Sequence, residues 1–380
     1  MKVEFYKHNL GDEEKQKLLE CVDSMFLTTG SYVSEFEKKL ALYTGNDYAI
    51  GLTSCTAALH LSLIALGVGK GDEVITTPMT FIATSNAILY TGATPVFVDV
   101  DISTGLINTS QIECAITNKT KVILPVHLYG QMCDMQEIKK IADQHNLNVI
   151  EDAAHCIEGV RDGIKPGQYS DAACFSFYAT KNITSGEGGA VVTGNKELAS
   201  KIRTMRNHGM SKEAADRYVG KYQHWDMIEL GYKYNMFNIQ ASLLISQLAK
   251  IDDAREKREM ICGKYEDAFA SNPHVRCIET IGNSKSARHL FTILCHTDCR
   301  DTMLDLLQEN GIGVAVNYRA VHLSSYYVKR FGFKRGMFPN AEFIGDRTLT
   351  LPLYTQLTEN EVNYVIASVN NLSEEFTDVE

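Results

Sequence analysis

The chain has 380 residues, 44% hydrophobic and 22% charged, with a net charge of −10. That length and apolar content suit two domains rather than one small one, and an acidic balance without a basic block argues against nucleic acid as a partner. No run of about 20 apolar residues is present to span a bilayer, the start Met1-Lys2-Val3-Glu4-Phe5-Tyr6-Lys7 lacks the apolar core of a secretion signal, and the ten scattered cysteines are expected to be reduced thiols of a cytoplasmic protein.

Helical spacing covers residues 14–26 and 34–44. Short apolar runs then alternate with helix-length segments. Val74-Ile75-Thr76-Thr77 reads as a strand stopped by Pro78. Thr84 to Tyr90 reads as a helix, Pro95 to Val100 and Lys121 to Val126 as strands, and 134–145 as a helix. Asn148-Val149-Ile150-Glu151-Asp152 is a strand closing on carboxylates, and strands from Ala172 to Phe177 and Gly189 to Thr193 follow. Continuous apolar strands between helices predict an α/β fold with a mostly parallel sheet buried on both faces. A long helix is expected from Asn238 to Phe269. Beyond it, a strand at Leu290 to Leu294, a helix near 300–309, a strand at Val314-Ala315-Val316 and a last helix at 359–373 predict a smaller α+β domain. The division is placed at residues 1–255 and 256–380. Cys295-His296-Thr297-Asp298-Cys299 has ligand-type residues but no second ligand pair, so no metal is expected.

Three features carry chemistry. Asp152 closes an apolar strand, where ligands of open α/β sheets sit, although aspartate there also serves as a plain helix cap. Lys181 follows the next strand, inside Ser176 to Gly189 (SFYATKNITSGEGG), a stretch of small and polar residues with a glycine-rich tail. Alone it reads as a surface lysine or as one that bonds a carbonyl covalently. Thr53-Ser54-Cys55-Thr56-Ala57-Ala58-Leu59-His60 places small and hydroxyl residues where a helix opens, which suits an anion or a simple N-cap. Together they match the needs of pyridoxal phosphate: a lysine for the carbonyl, a carboxylate for the ring nitrogen and a cradle for the phosphate.

Over nearly its whole length the chain resembles the DegT/DnrJ/EryC1/StrS aminotransferases. The segments that carry the likeness are Phe26-Leu27-Thr28-Thr29-Gly30 with Phe36-Glu37, Thr53 to Leu59, Pro78-Met79-Thr80-Phe81, Glu151-Asp152-Ala153-Ala154-His155 and Ser176 to Gly189, followed by Gly231-Tyr232-Lys233-Tyr234-Asn235-Met236 and Asn317-Tyr318-Arg319-Ala320-Val321-His322. The resemblance implies the fold-type I, aspartate-aminotransferase-like architecture with pyridoxal 5'-phosphate as cofactor. It implies Lys181 as the covalent lysine, Asp152 on the pyridine nitrogen and Phe81 stacked on the ring. Thr56, Ala57 and Ser176 take the phosphate, His155 lies beside the ring hydroxyl, and Asn235 reaches the phosphate of a neighbouring subunit, so a homodimer with shared sites is expected. Thr29, Lys233, Tyr318, Arg319 and His322 are expected on the substrate side. Tyr178 stands where many relatives have histidine and is given no catalytic role. Lys233-Tyr234-Asn235 also departs from the Asn-Tyr-Arg of many members.

The last two segments look most like the branch acting on UDP-linked 4-keto sugars. The implied reaction moves an amino group from glutamate to the C4 keto group of a UDP-linked sugar, in two halves. The rivals are amination at C3 or of a cyclitol ketone, and a binding protein that keeps the fold without catalysis; a dehydratase branch has histidine in place of the lysine.

Overall fold

The computed structural model describes residues 1–211, 224–295 and 299–375. His296 and Asp298 of the cysteine-flanked stretch lie outside the described residues. The chain opens with helices α1 (Asp12–Val22) and α2 (Ser31–Thr44), then β1 (Tyr48–Leu52), α3 (Cys55–Ala65), β2 (Glu73–Thr76), α4 (Ala83–Tyr90), β3 (Thr94–Phe97) and β4 (Thr120–Ile123). It continues through α5 (Met135–His145), β5 (Asn148–Asp152), β6 (Val160–Arg161), β7 (Ala172–Ser176), β8 (Gly189–Thr193), α6 (Lys196–Met205), α7 (Asn238–Ala249) and α8 (Ile251–Phe269). The last part holds β9 (Val275–Cys277), β10 (Ser284–Lys285), β11 (Phe291–Cys295), α9 (Arg300–Glu309), α10 (Ser325–Phe331), α11 (Pro339–Arg347), β12 (Thr348–Leu351) and α12 (Glu359–Glu375).

Seven strands form one sheet in the order β1-β8-β7-β5-β4-β2-β3. Only β8 runs against its neighbours; β7, β5, β4, β2 and β3 pair in parallel. The strand middles are apolar because both faces are covered. Along β8, Ala190 and Val192 enter one core while Val191 enters the other, as the two-residue period of a strand requires. On one face α3 and α6 supply Ala58, Leu59, Leu61, Leu198 and Ile202. On the other, α2 and α7 supply Phe36, Leu40, Ala241 and Leu244. Removing one such leucine or isoleucine from water contributes about 1.5–3 kcal/mol. The buried Arg206 ties the layers: its Nη1 donates to Glu37 Oε1 at 2.6 Å and to the Gly51 carbonyl at 3.0 Å.

The expected helix over 238–269 is two helices that meet at Lys250 (φ −109, ψ 8). The break follows from packing. Ala241, Leu244 and Ile251 belong to the large core, whereas Ile261, Cys262, Tyr265 and Phe269 belong to a second one. That second core gathers β11, β12 and α12 around α8 and includes Val3, whose backbone bridges Ile312. The expected boundary at 255/256 therefore falls within α8, which serves both cores. The second core's sheet is antiparallel, β12-β11-β9. Residues 314–316 form no full strand: Ala315 makes a single bridge to Thr350. No helix among the described residues is long and apolar enough to cross a membrane.

Candidate active site

Strands β1, β2, β4, β5 and β7 end on the same edge of the sheet, and a cavity of about 560 Å³ opens there. Its walls come from the turn after β1, the segment after β2, the ends of β5 and β7, the loop before β8, and Asn317-Tyr318. This edge collects side chains because each strand must leave the sheet there, at the position where open α/β sheets bind ligands.

Asp152, the last residue of β5, is 5% exposed. Thr84 Oγ1 donates to its Oδ2 at 2.7 Å and the Ala154 N–H to its Oδ1 at 3.1 Å. Thr80 in turn bonds Thr84, hydroxyl to hydroxyl, at 2.7 Å. Burial raises the Asp152 carboxyl above the usual carboxylate range, against the opposing effect of the Thr84 hydroxyl and the Ala154 N–H. Among the described residues no cation lies within ion-pair distance of it. A buried, oriented carboxylate without a cation suits the protonated nitrogen of a heterocycle.

Lys181 lies in the loop between β7 and β8. Burial pushes its ammonium down to about 8, with Cys55 and Asp152 pulling the other way. An amine with that value is largely nucleophilic in mild base. The loop is held at its far side by α7: the buried Gln247 accepts from the Thr184 N–H at 3.0 Å and donates to the Thr184 carbonyl at 2.8 Å.

The anion corner forms where α3 begins. Ser54 caps the helix, taking the Ala57 N–H on its hydroxyl at 3.1 Å. The N–H groups of Cys55 and Thr56 have no acceptor within the helix, as first-turn groups never do. Ser176, at the end of β7, completes the corner. Gly189 is required beside it: a Cβ there would lie 2.2 Å from the Ser54 carbonyl carbon and 2.5 Å from the Cys55 nitrogen. Phe81 is 53% exposed at the cavity mouth, its ring 5.7 Å from that of Tyr318. His155 Nδ1 accepts the Tyr129 N–H at 3.3 Å, so its Nε2 carries the hydrogen and donates to the Tyr318 hydroxyl at 3.1 Å. Burial, with Lys181 nearby, keeps His155 well below the usual histidine value and so uncharged.

Lys181, Asp152, Thr56, Phe81, His155, Ser176 and Tyr318 thus meet around one cavity, with Ala57 just behind the wall. Other expected residues lie elsewhere. Thr29 and Asn235 bond each other, Asn235 Nδ2 donating to Thr29 Oγ1 at 2.8 Å, and neither lines the cavity of its own chain. Lys233 is exposed and bridges Asn207 through its backbone. Arg319 lines a second cavity of about 610 Å³ with Arg300, Asp301, Val316, Arg335 and Asp346. His322 is 0% exposed; its Nε2 bonds Glu342 at 3.0 Å and its ring packs against Phe338. His322 lines neither this cavity nor the second one.

Two neighbours, Thr84 and His289, escaped the sequence. Thr84 orients Asp152. Asn317 lines the cavity with a buried, unpartnered Oδ1, and Tyr129 donates to its carbonyl at 2.5 Å. His289 Nε2 stands 3.4 Å from Lys181 Nζ. No group of three His, Cys, Asp or Glu able to hold a metal occurs among the described residues, and all ten cysteines are free thiols.

The donor set fits pyridoxal phosphate: a half-buried amine for its carbonyl, a buried carboxylate without a cation for its ring nitrogen, an exposed aromatic face, and free helix N–H groups for its phosphate. A doubly covered, mostly parallel sheet with this site at its strand ends defines a class of protein, the enzymes that work through that cofactor. Within the class, the chain belongs to the DegT/DnrJ/EryC1/StrS aminotransferase family, which residues 8–370 match. It is 42% identical over 369 residues to the spore coat polysaccharide biosynthesis protein SpsC of Bacillus subtilis, covering 96% of this chain and 95% of that one. Among solved structures it is similar to Spr1654 of Streptococcus pneumoniae, named as a sugar aminotransferase, in its pyridoxamine phosphate form: TM-score 0.93, 30% identity, covering 98% of this chain and 99% of that one. The same protein has been solved in its pyridoxal phosphate form. Helicobacter pylori PseC, an aminotransferase involved in the biosynthesis of pseudoaminic acid, gives a TM-score of 0.92 at 30% identity, covering 99% of this chain and 100% of that one. The fold is that of the fold-type I enzymes, the cofactor is pyridoxal 5'-phosphate, and the activity is that of a sugar aminotransferase.

Proposed function

We propose that the enzyme transfers an amino group from glutamate to the C4 keto group of a UDP-linked keto-deoxy sugar, in the cytoplasm, for the amino sugars of a cell-surface polysaccharide or glycan. The observation that carries the reading is the pairing of a half-buried, easily deprotonated Lys181 with a buried, cation-free Asp152 in one cavity. The choice of sugar rests on the segments Gly231 to Met236 and Asn317 to His322, and the polysaccharide role of SpsC and the pseudoaminic acid role of PseC lend support to an amino sugar bound for a glycan.

Pyridoxal phosphate, when bound, supplies the electron sink and carries the amino group between the two half-reactions. Lys181 would hold it covalently and, once released, would take the proton from the donor's α-carbon on its Nζ. Asp152 would keep the ring nitrogen protonated, with Thr84 fixing its orientation. Thr56, Ala57 and Ser176 would hold the phosphate, and the Phe81 ring would cover one face. His155 would lie beside the ring hydroxyl. As a neutral Nε2–H donor it leaves the Tyr318 hydroxyl hydrogen free to point at a ligand. The unpartnered Asn317 Oδ1 would accept a hydrogen bond from the sugar, because an acceptor left unpaired in a buried place costs about 1–3 kcal/mol. Thr29, Lys233 and Asn235 lie off the cavity, and we assign them to the site of a second copy in a homodimer; Arg319 and His322 are left out of the reading.

The test is the visible absorbance of the protein loaded with pyridoxal phosphate. Glutamate should bleach the band, and a UDP-4-keto-6-deoxy sugar should restore it with release of the 4-amino sugar. Bleaching without recovery would discard this sugar and keep the aminotransferase; no band in the wild type would remove the roles given to Lys181 and Asp152.

A further inference from the structure

Behind Lys181 a chain of hydrogen bonds runs out of the cavity and into the second part of the molecule. Arg258, on α8, donates from Nη2 to Glu158 Oε1 at 2.5 Å, and both side chains are buried. Glu158 Oε2 accepts from Asn182 Nδ2 at 2.8 Å, and the Ala287 carbonyl accepts from the same nitrogen at 2.9 Å. With both of its amide hydrogens directed there, Asn182 can offer only Oδ1 to its next neighbour, His289 Nδ1, at 3.0 Å. His289 Nδ1 must therefore carry the ring hydrogen. Its Nε2 is left as a lone pair, 3.4 Å from Lys181 Nζ. Four links thus fix which nitrogen of a buried imidazole faces the lysine.

We propose that His289 is a positioning residue for Lys181: its Nε2 holds the lysine amine by accepting an N–H whenever that lysine is free, and Asn182 keeps the ring in the tautomer able to do so. The inference rests on the reading of Lys181 as the cofactor lysine. In an amino transfer the lysine is released in every cycle and must be recaptured. A free lysine has four side-chain torsions, so an acceptor that holds it in one place shortens its return. The charged and titratable groups around the imidazole are Lys181 on the loop before β8, His155 with its ring 4.5 Å away, Glu158 beyond Asn182, and Arg258 on α8. Burial together with Lys181, His155 and Arg258 keeps His289 well below the usual histidine value, so it stays a neutral acceptor. An acceptor favours the ammonium form of lysine, so its loss should make Lys181 still easier to deprotonate.

The test follows capture of pyridoxal phosphate by cofactor-free protein in stopped flow, by visible absorbance, as a function of pH. Borohydride reduction followed by peptide mass then locates the modified lysine. In the wild type the capture rate should rise with pH to a midpoint near 8, the value at which Lys181 loses its proton. In His289→Phe the midpoint should fall by about one unit, and the plateau rate by about tenfold, the effect of one hydrogen bond to a charged group. His289→Gln, which restores an acceptor, should recover most of both. Asn182→Leu keeps the ring but frees its tautomer, and should move the midpoint the same way as His289→Phe; it serves where His289→Phe does not fold. A wild-type midpoint and plateau in folded His289→Phe or Asn182→Leu overturns the proposal, as does a His289→Gln no better than Phe. The absence of a cofactor mass on Lys181 in the wild type overturns the proposal together with the reading beneath it, and is distinguished by appearing before any variant is made.

Discussion

Two cavities of similar size flank one short segment, Val316 to Arg319, and they differ in how their charges are treated. The second cavity, about 610 Å³, holds three arginines and two aspartates. Arg300 Nε meets Asp301 at 2.6 Å and its Nη1 reaches the Thr348 carbonyl at 3.2 Å, while Arg335 Nη1 meets Asp346 at 2.6 Å. Most of that charge is matched and wet. The first cavity, about 560 Å³, holds a half-buried lysine and a buried carboxylate, orientated by neutral neighbours and displaced toward the uncharged state. Size and charge count would select the wrong cavity. What singles out the cavity we propose as reactive is charge drawn away from water without being neutralised, which is where perturbed titrations gather.

The comparison breaks or sharpens through graded substitutions. The largest effect is expected at Lys181→Ala, where loss of the proposed nucleophile and proton carrier should lower turnover at least about 10³-fold, measured as amino transfer from glutamate. Activity above a few per cent of wild type would place the chemistry elsewhere. Asp152→Asn keeps the shape and the Thr84 bond but removes the charge, and should lower kcat by about 10- to 100-fold, the worth of a charged hydrogen bond. An unchanged kcat would make the carboxylate a mere cap. Phe81→Ala should weaken pyridoxal phosphate binding about 3- to 10-fold, as measured by fluorescence titration, in line with a single aromatic contact. The smallest change is expected across the segment, where Arg319→Ala should alter kcat/KM by less than about threefold because the site is open to solvent. A tenfold rise in KM instead would join the second cavity to the substrate path.

How much of this was legible in the sequence depends on the range of the interactions. Asp152 and Lys181 could be read because one closes and the other follows a strand of obvious apolar character, and parallel strands deliver their ends to a common edge. The helix start at Ser54 was legible for the same local reason. The chain between Asn317 and His322 was less so. Six adjacent residues do not reveal which of them turn toward a cavity, and here Asn317 and Tyr318 do, Arg319 lines another, and His322 is shut inside against Glu342. β1 was overlooked because Tyr48-Ala49-Ile50-Gly51-Leu52 carries a glycine that weakens strand character. The break at Lys250 has no glycine or proline to announce it; it arises because two cores pull on one long helical segment. His289 lies 108 positions from Lys181, so a lone histidine before a short strand gave no sign of its neighbour.

Gly189 has a consequence for anyone wishing to enlarge this cavity. Because β8 begins against the Ser54 carbonyl with no room for a methyl group, the distance between the helix opening at α3 and the lysine loop is set by backbone touching backbone. It behaves as a fixed gauge, not an adjustable gap. A ligand analogue extended at its anionic end would meet main chain that no side-chain trimming can move. Bulk added toward Phe81 and Tyr318 would meet side chains instead, and there substitution can make space.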